Sequence, residues 1–273
     1  MIIPLLEFRT TILEGKMMTD TTEIHQNAGL GAHGNTFIAE QNNGLSVEDA
    51  TTMAFTIFRE YYPQLREEML SDLYKILEEK LKNITPENII PPSPRIAVPT
   101  LQNASITEDI SIRELYAQLL ANSMDATIKD GVHPAFVEII NQLSPDEAKL
   151  LRYLFTQLIV PTVTLKRVNE QNEGNDIIKN FSNIGELAEC ENPLKISEYF
   201  DNLLRLGLLE SSETASLVDK ALYNPLKEHE YILSQINIIT SQEPPFNKSH
   251  LKEGYMAMTD FGRSFCKICL PTM

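Results

Sequence analysis

Pro193–Glu210 reads PLKISEYFDNLLRLGLLE, and Tyr255–Phe265 reads YMAMTDFGRSF. In the first stretch the apolar residues Ile196, Tyr199, Phe200, Leu203 and Leu204 recur at three- and four-residue steps, the period of one helical face. Gly207 stands where a helix ends in a left-handed turn, and Leu208-Leu209 begins a strand. In the second, YMAM is a returning strand, and Thr259 caps a last helix with Phe261, Phe265 and Ile268 facing inward. Upstream, Thr162–Val168 (TVTLKRV) alternates as a short strand does, Asn169–Asp176 is a polar loop, and a helix is expected near Asn183–Cys190. A helical insertion is expected around Asn224–Ile238. Helix, strand, helix, helix, strand and returning strand is the order of a winged helix.

Outward from there, Ser144-Pro145-Asp146-Glu147 combines a cap, a first-position proline and a capping-box glutamate. It opens a helix with Leu151, Leu154, Phe155, Leu158 and Ile159 inside, which stops before Pro161. Pro134 opens a shorter helix with Phe136, Val137 and Ile140. Ser105 with Glu108 forms a second capping box, ahead of a helix bearing Ile112, Leu115, Tyr116, Leu119 and Leu120. Thr85–Gln102 contains five prolines, so it is expected as an extended linker without regular helix. Before it, Ser46 and Asp49 start an amphipathic helical segment broken at Pro63.

The expected architecture is mostly α with a small β component, a helical N-terminal region followed by a C-terminal winged-helix-like domain. Its segments are a polar leader (1–44), an amphipathic helical segment (45–84), a Pro-rich linker (85–104), a helical unit (105–160) and the winged-helix-like region with its inserted helix (161–273). The leader is rich in Asn, Gln, Gly and His and cannot bury a core of its own. The plainer expectation is a flexible leader; Asn35–Gln41 (NTFIAEQ) has strand character, which makes Phe37, Ile38 and Gln41 candidates for self-association instead. The start MIIPLLEFRTTIL lacks a basic region before its apolar residues and a small-residue cleavage site after them, so a signal peptide is not expected. Met17 or Met18 is an alternative start.

Charge sets the classes of partner. A formal net charge of −15 on 273 residues repels phosphate backbones and anionic lipids. The third helix of the winged-helix order bears Lys195 and Arg205, yet Glu198 and Asp201 cancel them. Lys195, Tyr199 and Arg205 are therefore candidates for protein contact, and DNA is the second choice. Three cysteines do not make a disulfide framework, and no apolar run reaches the roughly 20 residues of a membrane span, so a cytoplasmic protein is expected.

No catalytic, cofactor or metal set emerges. Cys266-x-x-Cys269 falls near the end of a helix rather than at a helix start after a strand, and no histidine sits at ligand spacing with it. The histidines at 25, 33, 133, 229 and 250 are scattered. The glycines at 29, 31 and 34 lack the Lys-Ser/Thr and the strand–turn–helix frame of a phosphate loop. No small-molecule substrate is suggested.

Pro91–Asp125 (PPSPRIAVPTLQNASITEDISIRELYAQLLANSMD) resembles the Abi-alpha (abortive infection alpha-like) family of bacterial proteins. The resemblance lies in the proline-flanked stretch, the A-S-x-x-E-D helix start, the ELYAQLLANSMD helix and the closing YMAMTDFGRSFCKICL, and it spans about Leu45 to Leu270. It implies a role in bacterial defence against phage and supplies no catalytic residues to carry over. The leader GAHGNTFIAEQNNGLS is similar to short Gly-Asn segments beside modules of bacterial defence proteins, which implies assembly or signalling. The expected function is thus a non-enzymatic interaction or effector protein of abortive-infection type, working through homo-oligomerisation or a protein partner. The alternative is a winged-helix transcriptional regulator.

Overall fold

A computed structural model describes residues 46–61, 67–212 and 215–271. The polar leader, with Phe37, Ile38 and Gln41, lies outside the described residues, as do His25 and His33. The first helices are α1 (Val47–Tyr61) and α2 (Glu67–Leu81), on either side of the expected break at Pro63. Ser46 caps α1: its hydroxyl accepts the Asp49 N–H at 3.1 Å and donates to the Asp49 carboxylate at 2.6 Å.

The Pro-rich segment corrects the expectation of an extended linker, because Pro94–Ile106 is a helix, α3. Two of its prolines are placed at tolerable expense. Pro94 occupies the first turn, where its missing N–H would be unsatisfied anyway, and Ser93 before it is extended, as a pre-proline residue prefers. Pro99 does interrupt the ladder, which costs about 3 kcal/mol. Against that, Ile96, Ala97, Thr100, Leu101, Ala104 and Ser105 form one buried stripe at helical spacing. Burying Ile96 and Leu101 alone contributes about 1.5–3 kcal/mol each, so packing outweighs the broken hydrogen bond. The residues before α3 are sewn to the far end of the next helix, with Ile90 donating to the Met124 carbonyl and Ala126 to that of Asn88.

Ser105 is corrected with it. It lies buried in the last turn of α3, donates to the Gln102 carbonyl at 2.7 Å, and caps nothing. The next helix, α4 (Ile110–Ser123), is capped by Asp109, whose carboxylate accepts the Ile112 N–H at 3.0 Å. Then come α5 (Ala135–Asn141) and α6 (Pro145–Gln157), the latter with a complete capping box between Ser144 and Glu147.

After α6 the chain enters a four-stranded antiparallel sheet of order β2-β1-β4-β3. Strand β1 (Ile159–Val168) starts earlier than expected and includes Pro161. The proline is tolerated because it pairs only with Tyr255 of β4 (Lys248–Met258), whereas pairing to β2 (Gly174–Phe181) begins at Val163. Strand β2 was not expected at all; the Asn169–Asp176 loop contracts to a turn in which the Asn169 side chain accepts the N–H groups of Gln171 and Glu173. Of the helix expected near Asn183–Cys190, a single turn forms, α7 (Ile184–Leu187).

Helix α8 (Ile196–Arg205) ends as its glycine requires. Gly207 has φ +72°, with its N–H on the Leu204 carbonyl and the Leu208 N–H on that of Leu203, the paired bonds of a Schellman turn. Strand β3 (Leu209–Ser212) follows and pairs with the end of β4. Between them lies the expected helical insertion, α9 (Asn224–Lys227) and α10 (Glu230–Thr240). It is fixed to the sheet by Tyr223, whose hydroxyl donates to the Gly254 carbonyl at 2.8 Å, and by Lys220 and Lys227, which pair with Glu253 of β4.

The last helix, α11 (Asp260–Cys269), is capped by Thr259, which accepts the Gly262 N–H at 2.8 Å. It packs back against α4 and α6, and the Asn122 amide of α4 donates to the Ile268 carbonyl at 2.8 Å. One hydrophobic cluster consequently runs from Ala50 to Leu270 through helices and sheet alike.

Two glycines near the α8–β3 turn make separate demands. A β-carbon on Gly207 meets nothing, so Gly207→Ala carries only left-handed backbone strain, about 1–2 kcal/mol. A β-carbon on Gly262 would run into the Leu208 carbonyl, so Gly262→Ala is expected to destabilise by more than that. Urea denaturation of both variants checks the order; equal losses would contradict it.

Candidate functional site

The outer face of α8 is where sequence placed the contact residues, and the structure separates them. Lys195 is exposed at the start of the helix and Arg205 is exposed at its end, about 15 Å away by helical rise. Exposed Glu198 and Asp201 lie between them, so two cations and two anions share the surface. Arg205 is held in place: its guanidinium donates to the Asn202 side-chain carbonyl and, at 2.9 Å, to that of Gln142 at the end of α5. Tyr199 faces the other way. It is buried and donates its hydroxyl to Asp146 Oδ2 at 2.8 Å, so it belongs to the interior and not to the contact face.

That buried carboxylate is the centre of a polar cluster that joins α6 to α8 and to the loop before it. Asp146 is the second residue of α6. Its Oδ1 accepts the Glu191 N–H at 2.8 Å, and its Oδ2 accepts the Asn192 N–H at 3.0 Å as well as the tyrosine. Lys149, one turn further along α6, stands 3.5 Å from Oδ1 and donates to the Glu189 carbonyl at 3.0 Å. Burial alone would raise the Asp146 pKa. The two backbone N–H groups, the Tyr199 hydroxyl and the Lys149 charge outweigh it and hold the carboxyl below its ordinary value. The same arrangement pushes Tyr199 up, through burial first and then the carboxylate it serves.

Glu147 repeats the pattern beside it. One oxygen accepts the Ser144 N–H at 2.6 Å to close the capping box, and the other accepts the Asn202 amide at 2.8 Å. Sequence marked Asp146 and Glu147 as helix-start residues. Their second role, gripping α8 and the loop before it, left no local signal, because the partners lie about fifty residues away.

The remaining candidates are structural. Cys266 and Cys269 are buried in α11, and burial raises the Cys266 thiol to about 12 and the Cys269 thiol well above its usual value. Such thiols are inert packing groups. Cys190 is also pushed up by burial, to about 11. His133 and His229 each use Nδ1 to accept a backbone N–H at a helix start, from Ala135 and Tyr231 respectively. Among the described residues no three His, Cys, Asp or Glu side chains are placed to hold a metal ion, and no helix is long and apolar enough to cross a membrane. The insertion leaves Leu222, Leu233 and Ile238 exposed.

A family model described as abortive infection alpha matches residues 65–269. No curated protein matches the chain. Among solved structures, the chain is similar to an uncharacterized protein from the hydrocarbon-degrading marine bacterium Alcanivorax borkumensis SK2, at 18% identity, with 49% of this chain and 90% of that one covered and a TM-score of 0.34. That likeness fixes neither fold nor activity.

The Asp146 cluster has a defined pH signature. Because its folded pKa is depressed, its stabilisation is complete above the unfolded value, near pH 4, and is lost as the pH falls through the lower folded value. Asp146→Asn turns an amide toward two N–H donors and is expected to destabilise by about 2–4 kcal/mol at neutral pH. The variant should also show a weaker loss of stability on acidification below about pH 4. Urea midpoints measured across pH check both; parallel pH profiles for the two proteins would refute the assignment.

Proposed function

The chain belongs to the abortive infection alpha family, and from that premise we propose that it is a non-enzymatic effector or interaction protein of phage defence, acting in the cytoplasm through contacts with a protein partner or with copies of itself. The observation that carries this reading is the outer face of α8, where Lys195 and Arg205 are offset by Glu198 and Asp201 on a chain of net charge −15. A face of balanced charge suits a protein surface. It is poorly suited to a phosphate backbone, whose binding rests on neutralising several phosphates at once. Exposed Leu222, Leu233 and Ile238 on the insertion add apolar contact area of the kind partners bury.

The C-terminal half is, in this reading, a winged helix whose wing is replaced by α9 and α10. The order α6, β1, α7, α8, β3, β4 supports it, as does the β1-β4-β3 part of the sheet; β2 is an addition at the edge. That same order favours the second reading, a transcriptional regulator that presents α8 to DNA.

Two experiments separate the readings. Light scattering of the full chain over a range of concentrations is expected to give a mass above 30.9 kDa, or a partner is expected to co-purify from phage-challenged cells. A monomer that brings down no partner would overturn the proposal. Titration with nonspecific duplex at low salt, where the electrostatic contribution is greatest, is expected to show no binding. Binding that weakens steeply with added salt would establish the regulator instead.

A further inference from the structure

A groove of about 560 Å³ opens between α4, α6 and α7, and its walls include Ser111, Glu114, Lys149, Arg152, Tyr153 and Leu187. The volume falls within the range of small-molecule sites. Arg152 is the cation left open in this groove. It is half-buried, its guanidinium makes no hydrogen bond and no ion pair among the described residues, and none of its nitrogens is sealed from solvent. Its planar fork is therefore open to an incoming oxyanion.

The surrounding charges do not supply one. Lys80 of α2 donates to the Gln118 side chain at 3.1 Å. Its ammonium is held below its ordinary pKa by burial first; Glu114 raises it and Arg152 lowers it again. Arg152 thus adds a like charge beside Lys80. Lys149 adds a third cation, one turn before Arg152 on the same face, with its ammonium already turned toward the Glu189 carbonyl and Asp146. The hydroxyls of Ser111 and Tyr153 donate to nothing among the described residues, and Leu187 with Ala188 forms an apolar wall.

We propose that this groove binds a small molecule bearing one compact oxyanion, phosphate or carboxylate, on a flat apolar body, with Arg152 clamping the oxyanion and Tyr153 and Leu187 flanking the body. A bidentate guanidinium contact suits either oxyanion. Glu114 and Glu189 at the walls, on a chain of net charge −15, confine the ligand to a single anionic group and exclude a polyanion. The site stands apart from the proposed role in phage defence, since its ligand binds the purified chain whatever partner that chain meets.

The test is an NMR titration of the purified full chain with phenyl phosphate, benzoate and inorganic phosphate, following the Ala188 and Glu189 amides and the Arg152 side-chain Nε–H. Phenyl phosphate or benzoate is expected to shift these signals saturably, at lower concentration than inorganic phosphate, and the tighter of the two identifies the oxyanion. Arg152→Gln is expected to weaken that binding about tenfold, whereas Arg205→Gln on α8 leaves it unchanged. Because Arg152 holds nothing in the fold, Arg152→Gln should melt no lower than the parent chain. Absence of a saturable shift with all three probes, or equal binding by Arg152→Gln, would overturn the proposal. A chain that no longer folds when Arg152 is replaced would overturn it too, by making the arginine structural.

Discussion

The start of α6 joins the two halves of this protein. A helix start must satisfy N–H groups that have no partner within the helix, and Ser144, Pro145 and Glu147 do so locally. The adjacent Asp146 looks outward instead, to two backbone N–H groups and a tyrosine contributed by residues 191–199. Glu147 divides itself between both tasks, one oxygen on its own cap and the other on Asn202. A buried carboxylate is tolerable only when its lone pairs are filled, so the loop before α8 and the helix itself are held in one position relative to α6. The neutral outer face of α8 is presented to solvent as a consequence, since Tyr199 and Phe200 are fixed inward.

The rest of the C-terminal half is organised around β4. It pairs along its whole length with β1 and at its end with β3, while Glu253 on it receives the two lysines of the insertion. From β4 the chain turns directly into α11, which returns to α4 and extends the core across what composition alone would divide into separate regions. Gly207 and Gly262 meet at this junction, one required by backbone conformation and the other by close approach of the Leu208 carbonyl.

Legibility in sequence followed the range of the interactions involved. The capping box at Ser144, the Schellman glycine at 207 and the Thr259 cap are local devices, and each is where the residues indicated. In the Pro-rich segment the position of each proline matters more than their number: Pro94 suits a first turn, and the Ile96–Leu101–Ala104 stripe is strong enough to carry Pro99 inside a helix. Once that helix exists, Ser105 falls in its last turn and Asp109 becomes the next cap. Strand β2 has no clean alternation, and it is defined by pairing to β1 rather than by its own pattern. Tyr199 lies on a helix whose period is visible in the sequence, but its hydroxyl is matched to Asp146, 53 residues earlier, which no local pattern discloses.

The central claim is that Asp146 locks the 190–192 loop into the same cooperative unit as α6 and α8. Glu191 and Asn192 are exposed residues in a loop, a setting in which amide protons usually exchange by local opening. Their N–H groups are nevertheless bound to a buried carboxylate. Amide hydrogen exchange of these two residues tests the claim most directly: protection approaching that of the Leu151 and Leu203 amides, in the cores of α6 and α8, is the predicted result. Rapid exchange at both, with the helix cores still protected, would contradict it.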